Sequence, residues 1–235
     1  MSSEYLFGQW PAPDRTDAGA VLINVWRGAT PERMRRFTDD MVDGVWPAEL
    51  TDGELSFSLY ESEDGRSLMA YKQWTSKDAY DAYLAVRGFG GAHAFREANP
   101  DVEFHHDWFR LLRSGVRPGE TRTPGCMVLV DIEPETAESG KRWVDQVFDA
   151  FGSDGAGSQN ISAHFHRNLD GTALVNYAEW ESAAAHEQAL AEGNLSTRTT
   201  EQWERVRQFG GVTFRGFTRY RLLRSIQRPA PAAEH

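Results

Sequence analysis

The sequence predicts an α+β fold made of two fused copies of one βαββαβ unit. The first observation is an internal repeat, in which residues 65–76 align with residues 171–182 at a constant offset of 106 positions. A second alignment, of residues 110–114 with residues 221–225, has an offset of 111 positions and places five extra residues in copy two between Leu190 and Phe214. The third observation is that strand-forming, turn-forming and helix-capping residues follow one another in the same order in both copies.

Each copy begins with a strand and a helix. Residues 21–26 and 127–132 are apolar runs rich in β-branched side chains, which predicts strands. Thr30 and Thr136 follow these runs and are suited to cap helices, and Pro31 favours a first helical turn. The apolar helix faces are marked by Met34, Phe37 and Met41 in copy one and by Trp143, Val147, Phe148 and Phe151 in copy two.

A hairpin, a second helix and a closing strand complete each copy. Asp64-Gly65 and Asp170-Gly171 stand between alternating runs and predict tight turns. Ser76 and Ser182 are placed to cap the second helices. The predicted hairpin and closing strands are 55–61, 65–74 and 102–112 in copy one and 161–166, 172–180 and 212–223 in copy two.

The predicted unit has a four-stranded antiparallel sheet with helices on one face only. We therefore expect the two sheets to pack face to face within one chain and to enclose a cavity. The ends and the linker are rich in Pro, Ala and charge, which favours loose structure. The predicted segments are a flexible N-terminus 1–18, a first repeat 19–117, a linker 118–124, a second repeat 125–226 and a flexible tail 227–235.

Composition limits the classes of partner. The chain has 35 Asp and Glu against 25 Lys and Arg, and this net charge of −10 disfavours nucleic acids and anionic membranes. The single cysteine, Cys126, excludes an intramolecular disulfide and is typical of a reducing cytoplasm. No signal-peptide pattern or apolar run of about 18 residues is present. We therefore expect a soluble cytoplasmic protein whose partners are small molecules or other proteins.

The second hairpin resembles a known family. Residues 164–180, HFHRNLDGTALVNYAEW, are similar to the hairpin signature of the antibiotic biosynthesis monooxygenases, which is close to HRSLDGTRVVNYAQW. Residues 22–26, LINVW, resemble the first strand of that family, which carries an Asn. The resemblance covers residues 20–114 and 126–225. It implies ferredoxin-like repeats that form a dimeric α+β barrel, here supplied by one chain.

The same resemblance implies an activity. Members of the family are oxidoreductases that use O₂ to oxidise anthrone-type aromatic polyketides in antibiotic biosynthesis, and fused relatives act on angucycline-type rings. The resemblance thus implies a monooxygenase whose partner is an aromatic polyketide. It favours O₂ alone, without metal or flavin, and leaves open reduced flavin (FMNH2 or FADH2) from a flavin reductase, and a homodimer of the fused chain.

The family's polar residues are divided between the copies. The hairpin Asn and Trp of the family correspond to Asn176 and Trp180, whereas copy one keeps only Trp74. The first-strand Asn of the family corresponds to Asn24 in copy one. An aromatic hydroxyl six residues after the Trp corresponds to Tyr80 in copy one, and His186 stands at that place in copy two.

Strand alternation extends the predicted site, because residues two apart share a face. We expect His164 to look into the same space as Asn176 and Trp180. His164 is the predicted base, and the Asn176 amide and the Trp180 indole N–H are the predicted donors to an enolate or peroxide. Core packing, or a hydrogen-bonded strand histidine, is the competing structural interpretation. The predicted substrate-binding residues are Trp74, Asn24, Tyr80, His166, His186 and Ser162, and copy two is expected to hold the working pocket, with copy one completing the barrel.

Other functions are weaker expectations. Histidines 164, 166 and 186, and histidines 93, 105 and 106, lack the carboxylates and spacing of a metal site, so no metal is expected. The Gly-rich turns at 88–91 and 152–157 lack the Lys and Ser or Thr of a phosphate-binding loop. The alternatives that stay open are a haem-degrading barrel enzyme with His186 as axial ligand, and a non-oxidative polyketide-binding or cyclase-like barrel protein.

Overall fold

The structure, a computed structural model, describes residues 5–44, 46–88, 90–117, 119–152, 160–191 and 201–231. The elements of the first half are β1 (Leu6–Phe7), β2 (Ala20–Arg27), α1 (Pro31–Gly44), β3 (Glu54–Ser62), β4 (Ser67–Trp74), α2 (Lys77–Arg87), α3 (Gly90–Glu97) and β5 (Glu103–Val116). Those of the second half are β6 (Cys126–Pro134), α4 (Ala137–Gly152), β7 (Asn160–Asn168), β8 (Leu174–Trp180), α5 (Ala183–Ala191), α6 (Glu201–Gln208) and β9 (Val212–Gln227). None of the helices among these residues is long and apolar enough to cross a membrane.

The order of elements confirms the α+β class and the double ferredoxin-like architecture. In the first half β4 pairs antiparallel with β3 and with β2, and β2 also pairs with the start of β5. In the second half β8 pairs antiparallel with β7 and with β6, and β6 also pairs with the start of β9. The same register irregularity lies at the start of β3 and of β7, as expected for two copies of one unit.

The predicted caps and turns are present. Ser76 Oγ accepts a hydrogen bond from Ala79 N at 3.1 Å, and Ser182 Oγ accepts one from Ala185 N at 3.0 Å. The second helix of copy one is divided into α2 and α3, because α2 ends at Gly88 with a φ of +71°, a conformation that favours glycine. Copy two has α5 and α6 in the corresponding place.

Close backbone approach explains one aligned pair of glycines. A Cβ atom at Gly19 would lie 2.2 Å from the carbonyl oxygen of Thr75, and one at Gly125 would lie 2.3 Å from that of Glu181. The obstacle is backbone in both cases, so neither position accommodates a side chain without a shift of the strand.

The compact units of the protein do not coincide with the repeats. Unit 1 runs to Phe109 and resumes at Arg221, and unit 2 is Arg110–Tyr220. The boundary therefore falls inside β5 and inside β9. In unit 1 the end of β9 lies beside β3, where Arg228 N donates to Leu55 O at 2.9 Å; in unit 2 the end of β5 lies beside β7. Each sheet thus gains a strand segment that the repeat alone does not supply.

The N-terminal segment differs from the flexible end that the sequence predicts. The buried guanidinium of Arg15 donates to the carbonyl oxygens of Leu55 and Arg228 at 3.3 and 3.2 Å. It also binds both carboxylate oxygens of Asp17 at 2.6 and 2.9 Å. β1 pairs with the end of β9. The acceptors of Arg15 outside its own segment are main-chain carbonyls, and the composition of the segment gives no indication of such contacts.

Each unit has its own apolar core between its sheet and its helices. In unit 1 the predicted helix residues Met34, Phe37 and Met41 are buried against strand residues, among them Leu59 and Leu68. The core of unit 2 contains Ile132, Val144, Val147, Ala150, Ala163, Phe165, Leu174, Trp203 and Val206.

Candidate functional site

Strand pairing determines which side chains share the helix-facing side of the unit 1 sheet. Asn24 lies opposite Ala70 and opposite His106. Ala70 belongs to the apolar core that includes α1, so its face is the one that the helices cover. Lys72 and Trp74 follow Ala70 at intervals of two along β4 and lie on the same face. One amide, one amine, one imidazole and one indole therefore line this side of unit 1.

Four aromatic rings, Trp74, Tyr80, Tyr83 and Trp108, form what we call the unit 1 aromatic cluster. The Trp74 ring centroid lies 5.2 Å from that of Tyr80 and 5.8 Å from that of Tyr83, both on α2. Tyr80 also contacts Trp108 of β5, with centroids 4.8 Å apart. Trp74 with Tyr80, and Tyr80 with Trp108, contact edge to face, whereas the Trp74 and Tyr83 rings are tilted at 42°.

The indole N–H of Trp74 is a buried donor without an acceptor. Trp74 is 1% exposed, and within the described residues no group accepts a hydrogen bond from its Nε1. Leaving such a donor unpaired costs about 1–3 kcal/mol. A ligand carbonyl or a reduced oxygen species that accepted this hydrogen bond would remove the cost.

Lys72 lies in a largely apolar setting beside one carboxylate. Its Nζ stands 4.0 Å from the ring centroid of Phe57, its partner across β3 and β4. Burial lowers the pKa of the Lys72 amine, and the negative charge of Glu54 opposes this shift. Burial in turn raises the pKa of Glu54, opposed first by the positive charge of Lys72. Each group shifts toward its neutral form.

The Tyr80 hydroxyl is a further donor. Burial is the first cause that raises the pKa of Tyr80, and the neighbouring Tyr83 and Asp81 act in the same direction. The phenol therefore stays protonated at neutral pH and can donate a hydrogen bond.

Unit 2 has a different set of groups at the corresponding place. The Trp180 ring contacts the His186 ring at 4.8 Å, and His186 contacts Phe217 at 5.0 Å. Arg219 Nε donates to His186 Nδ1 at 2.9 Å. Burial first, and then the Arg219 charge, lowers the pKa of His186 to about 4, so the imidazole is neutral at pH 7. Asn176 is on the same face as Trp180, and its Oδ1 accepts from the backbone N–H of His164 at 3.1 Å.

The structure corrects the predicted face of the histidines. His164 pairs with Tyr177, and Ser162 pairs with Glu179, so these side chains lie on the opposite face of the sheet from Asn176 and Trp180. The reason is the hairpin: a tight turn centred on Asp170-Gly171 pairs even-numbered residues of β7 with odd-numbered residues of β8. His164 therefore does not share a space with Asn176 and Trp180.

On that opposite face the histidines belong to a buried polar network. His164 Nδ1 lies 2.7 Å from Ser114 Oγ, and its Nε2 lies 2.9 Å from Ser162 Oγ. Ser162 Oγ donates to Glu179 Oε2 at 2.6 Å. His166 lies 3.0 Å from the His164 carbonyl, and burial is the main cause that lowers the pKa of His166 to about 3. These contacts satisfy buried polar groups within the sheet, which is a structural role.

The sequence prediction thus found part of each cluster. The structure brings Trp74 together with Tyr80, and Trp180 together with His186. Asn24 and Asn176 lie on the same faces as those tryptophans, one in each unit. The prediction missed four polar or aromatic residues that only strand pairing reveals, although the repeat alignment already set one of them, Lys72, against Ala178. The four are Lys72, His106, Trp108 and Arg219.

The histidines of copy one are His93, His105 and His106. His105 and His106 are exposed on β5, and the side chain of His93 lies outside the described part of the structure. Among the described side chains, no group of three or more His, Cys, Asp or Glu is arranged to hold a metal ion.

The fold of this chain is similar to that of solved structures. No family model and no curated protein sequence matches the chain. A crystal structure of an anthrone oxidase-like protein is similar over 91% of this chain and 96% of that chain, with a TM-score of 0.68 and 15% sequence identity. A candidate monooxygenase from Fusobacterium nucleatum subsp. nucleatum is similar over 93% of this chain and 99% of that chain, with a TM-score of 0.55 and 7% identity. The chain therefore has the fold of the antibiotic biosynthesis monooxygenases, as its hairpin sequence predicts.

Proposed function

We propose that the protein is an oxygenase that oxidises a polycyclic aromatic polyketide of the anthrone or angucycline type at the unit 1 aromatic cluster. The observation that carries this proposal is the Trp74 indole N–H, a buried donor with no acceptor in the described structure, set among aromatic rings. The similarity in fold to an anthrone oxidase-like protein supports the same substrate class.

The rings account for recognition of a flat substrate. The Tyr80 and Tyr83 ring centroids lie 5.2 and 5.8 Å from that of Trp74, and Trp108 contacts Tyr80. A fused aromatic system that packs against these rings gains both apolar burial and stacking. A substrate carbonyl placed against Trp74 Nε1 would be fixed in orientation by that hydrogen bond. Recognition of this kind needs a ligand that is large, planar and carries a carbonyl group.

The donors account for the chemistry. An anthrone has an acidic ring C–H next to a carbonyl-stabilised system, and loss of that proton gives an electron-rich enolate. The Trp74 N–H and the protonated Tyr80 hydroxyl can stabilise the enolate oxygen and then a peroxide anion, because donors fixed in a dry site lower the energy of developing negative charge. The Asn24 amide lies on the same face and offers a third donor.

The overall reaction balances with O₂ as the only co-substrate. The enolate transfers one electron to O₂, and the resulting radical pair combines to form a C–O bond and a peroxide. After protonation, the hydroperoxide loses water, which leaves a new carbonyl on the ring. One O₂ is consumed, one oxygen atom enters the product and the other leaves as water, so no external reductant is required.

Unit 1 suits this role better than unit 2. The sequence comparison favours copy two, because Asn176 and the complete hairpin signature lie there. In unit 2, however, the histidine beside Trp180 already accepts a hydrogen bond from Arg219, and the Asn176 oxygen accepts one from the backbone. In unit 1, the Trp74 indole N–H has no acceptor among the described residues and can donate to a ligand oxygen.

Substitution of the two tryptophans tests the proposal. Trp74→Phe keeps a ring and removes only the N–H, so O₂ uptake with anthrone should fall by about 100-fold, the usual effect of losing one fixed donor to an oxyanion. Trp180→Phe is the matched change in unit 2 and should retain most of the activity. The measurement is O₂ consumption together with anthraquinone formation.

Each assay is run with and without added reduced flavin. Equal rates in both conditions support O₂ as the sole co-substrate, and a requirement for flavin would show that flavin supplies the electrons. If the wild-type protein consumes no O₂ with anthrone in either condition, the proposal fails for this substrate class. If Trp180→Phe is the inactive variant, the active site lies in unit 2 instead.

A further inference from the structure

Lys72 is a basic side chain on the helix-facing side of β4, the face that also carries Trp74. It lies two residues before Trp74 on the helix-facing side of β4, opposite Leu22 on β2 and Phe57 on β3. Its Nζ is 4.0 Å from the Phe57 ring centroid. A long amine side chain is out of place on an apolar strand face unless its head group has a use there.

The charge environment of Lys72 is sparse. Among the described residues it forms no salt bridge, in contrast to the surface lysines Lys77 and Lys141, which pair with Asp81 and Asp145 at 2.7 and 3.0 Å. The carboxylate whose charge raises the pKa of Lys72 is Glu54, a buried residue of β3 that lies opposite Trp74. Burial lowers the pKa of the amine, which makes the neutral form, a proton acceptor, accessible.

Lys72 also distinguishes the two units. The repeat alignment places Ala178 at its position in unit 2, and Ala178 packs there in an apolar cluster with Trp180. The predicted base, His164, lies on the other face of its sheet. The amine of Lys72 is therefore the titratable nitrogen that shares strand β4 and its helix-facing side with Trp74.

We propose that Lys72 is the proton acceptor of the unit 1 site, taking the acidic C–H or phenol proton of the aromatic substrate while Trp74 binds the oxygen that becomes negative. This proposal rests on the proposed function, whose substrate it deprotonates. Glu54 is a positioning residue whose negative charge raises the basicity of the amine against the effect of burial.

The proton balance is complete within the site. The neutral amine takes one proton from the substrate carbon and becomes an ammonium, and the electron pair of the broken C–H bond delocalises onto the ring oxygen as an enolate. After O₂ has combined with the oxidised ring, the same ammonium returns its proton to the peroxide anion. The amine is thus regenerated before water is lost.

The first test measures ionisation of the substrate without O₂. Anthrone added anaerobically to the wild-type protein should develop the visible absorbance of its anion. Lys72→Met, which keeps the length and removes the nitrogen, should bind anthrone without that absorbance, and the rate of O₂ uptake should fall at least about 100-fold. Lys141→Met, a matched change at an exposed lysine of unit 2, should behave as the wild type does.

Two further variants separate basicity from charge. Lys72→Arg keeps a positive charge that does not accept protons at these pH values, so it should be as inactive as Lys72→Met. Glu54→Gln removes the charge that raises the pKa of Lys72, so the rise of kcat/KM with pH should move to lower pH. A purely structural role of either residue would not move a pH profile in this way.

The outcomes distinguish this inference from the proposed function. If the wild-type protein forms the anthrone anion, Lys72→Met does not, and the wild type consumes no O₂, the oxygenase proposal fails and the role of Lys72 stands. If O₂ uptake is strong and either Lys72→Met or Lys72→Arg retains it, Lys72 is not the base. If Lys72→Met does not fold, the pH dependence of kcat/KM in Glu54→Gln decides instead. A rise that moves to lower pH supports the inference, and an unchanged pH profile overturns it.

Discussion

Trp74 and Trp180 end equivalent strands and yet have different neighbours. Trp74 meets two tyrosines of α2, whereas Trp180 meets a histidine that is held by Arg219. Both side chains are almost fully buried. The role of each indole therefore depends on the side chains that pack against it. A duplicated tryptophan does not by itself give two equivalent sites.

His166 offers a prediction at the residue scale. Its pKa is lowered to about 3 in the folded protein, against about 6.5 when unfolded, so the unfolded state binds more protons between these values. The stability it contributes is fully present above about pH 6.5 and is lost as pH falls toward 3. Between pH 7.5 and 5.0 the loss should be about 2 kcal/mol.

Urea unfolding at these two pH values measures the effect. His166→Asn keeps a donor toward the His164 carbonyl and does not titrate, so its free energy of unfolding should vary less with pH than that of the wild type. Other titrating groups contribute to both proteins, and most of their effect cancels in the comparison. An identical pH dependence in the two proteins would contradict a buried neutral His166.

At the scale of elements, hairpin register decides which polar side chains share a face of the sheet. The Asp-Gly turn was predicted from sequence, and its pairing of even with odd residues separates His164 from Asn176. A shift of one residue exchanges the two faces of a strand. The identities of the polar residues were therefore available from sequence, while their grouping depended on the pairing.

The segment before β2 gives a prediction at this scale. Arg15 is buried and binds main-chain carbonyls of Leu55, Arg228 and Pro229. Arg15→Met should lower the free energy of unfolding by about 2–3 kcal/mol, because it removes the hydrogen bonds that a buried, charged guanidinium donates to main-chain carbonyls. The control is Arg215→Met, which removes an exposed ion pair with Glu133 and should cost about 1 kcal/mol or less. Equal losses in the two variants would contradict a stabilising role for the contacts between Arg15 and these main-chain carbonyls.

At the scale of the whole molecule, the boundaries of the two compact units differ from the boundaries of the two repeats. Residues 221–226 belong to unit 1, although they end the second copy in sequence. Ile226 is fully buried in the core of unit 1, and Arg228 donates to carbonyls of residues 50, 51 and 54. The closing strand of the second copy is therefore divided: its start lies in unit 2 and its end lies in unit 1.

Ile226 allows this arrangement to be tested. Ile226→Ala should lower the free energy of unfolding by about 2–4 kcal/mol, the usual cost of emptying a buried site, and Val86→Ala on the exposed face of α2 should change it by less than about 0.5 kcal/mol. Hydrogen exchange should rise in β3 of unit 1, ahead of β6 and β8 of unit 2. Faster exchange confined to β6 and β8 would contradict the assignment of residue 226 to unit 1.

The sequence by itself determined the duplication, the order of elements, the helix caps and the apolar faces. These features depend on local conformation and on side-chain periodicity, which a single chain displays directly. It also indicated the tryptophans, tyrosine and asparagines around which the candidate sites are built, through the resemblance of the hairpin to a known signature.

Only the tertiary structure decided how those residues are grouped. Strand register turned His164 away from Trp180, and strand pairing brought Lys72 and Trp108 to the face of Trp74. The structure also assigned the end of β9 to unit 1 and held the N-terminal segment through Arg15. These results depend on contacts between residues far apart in the chain, whose free energies no local pattern encodes.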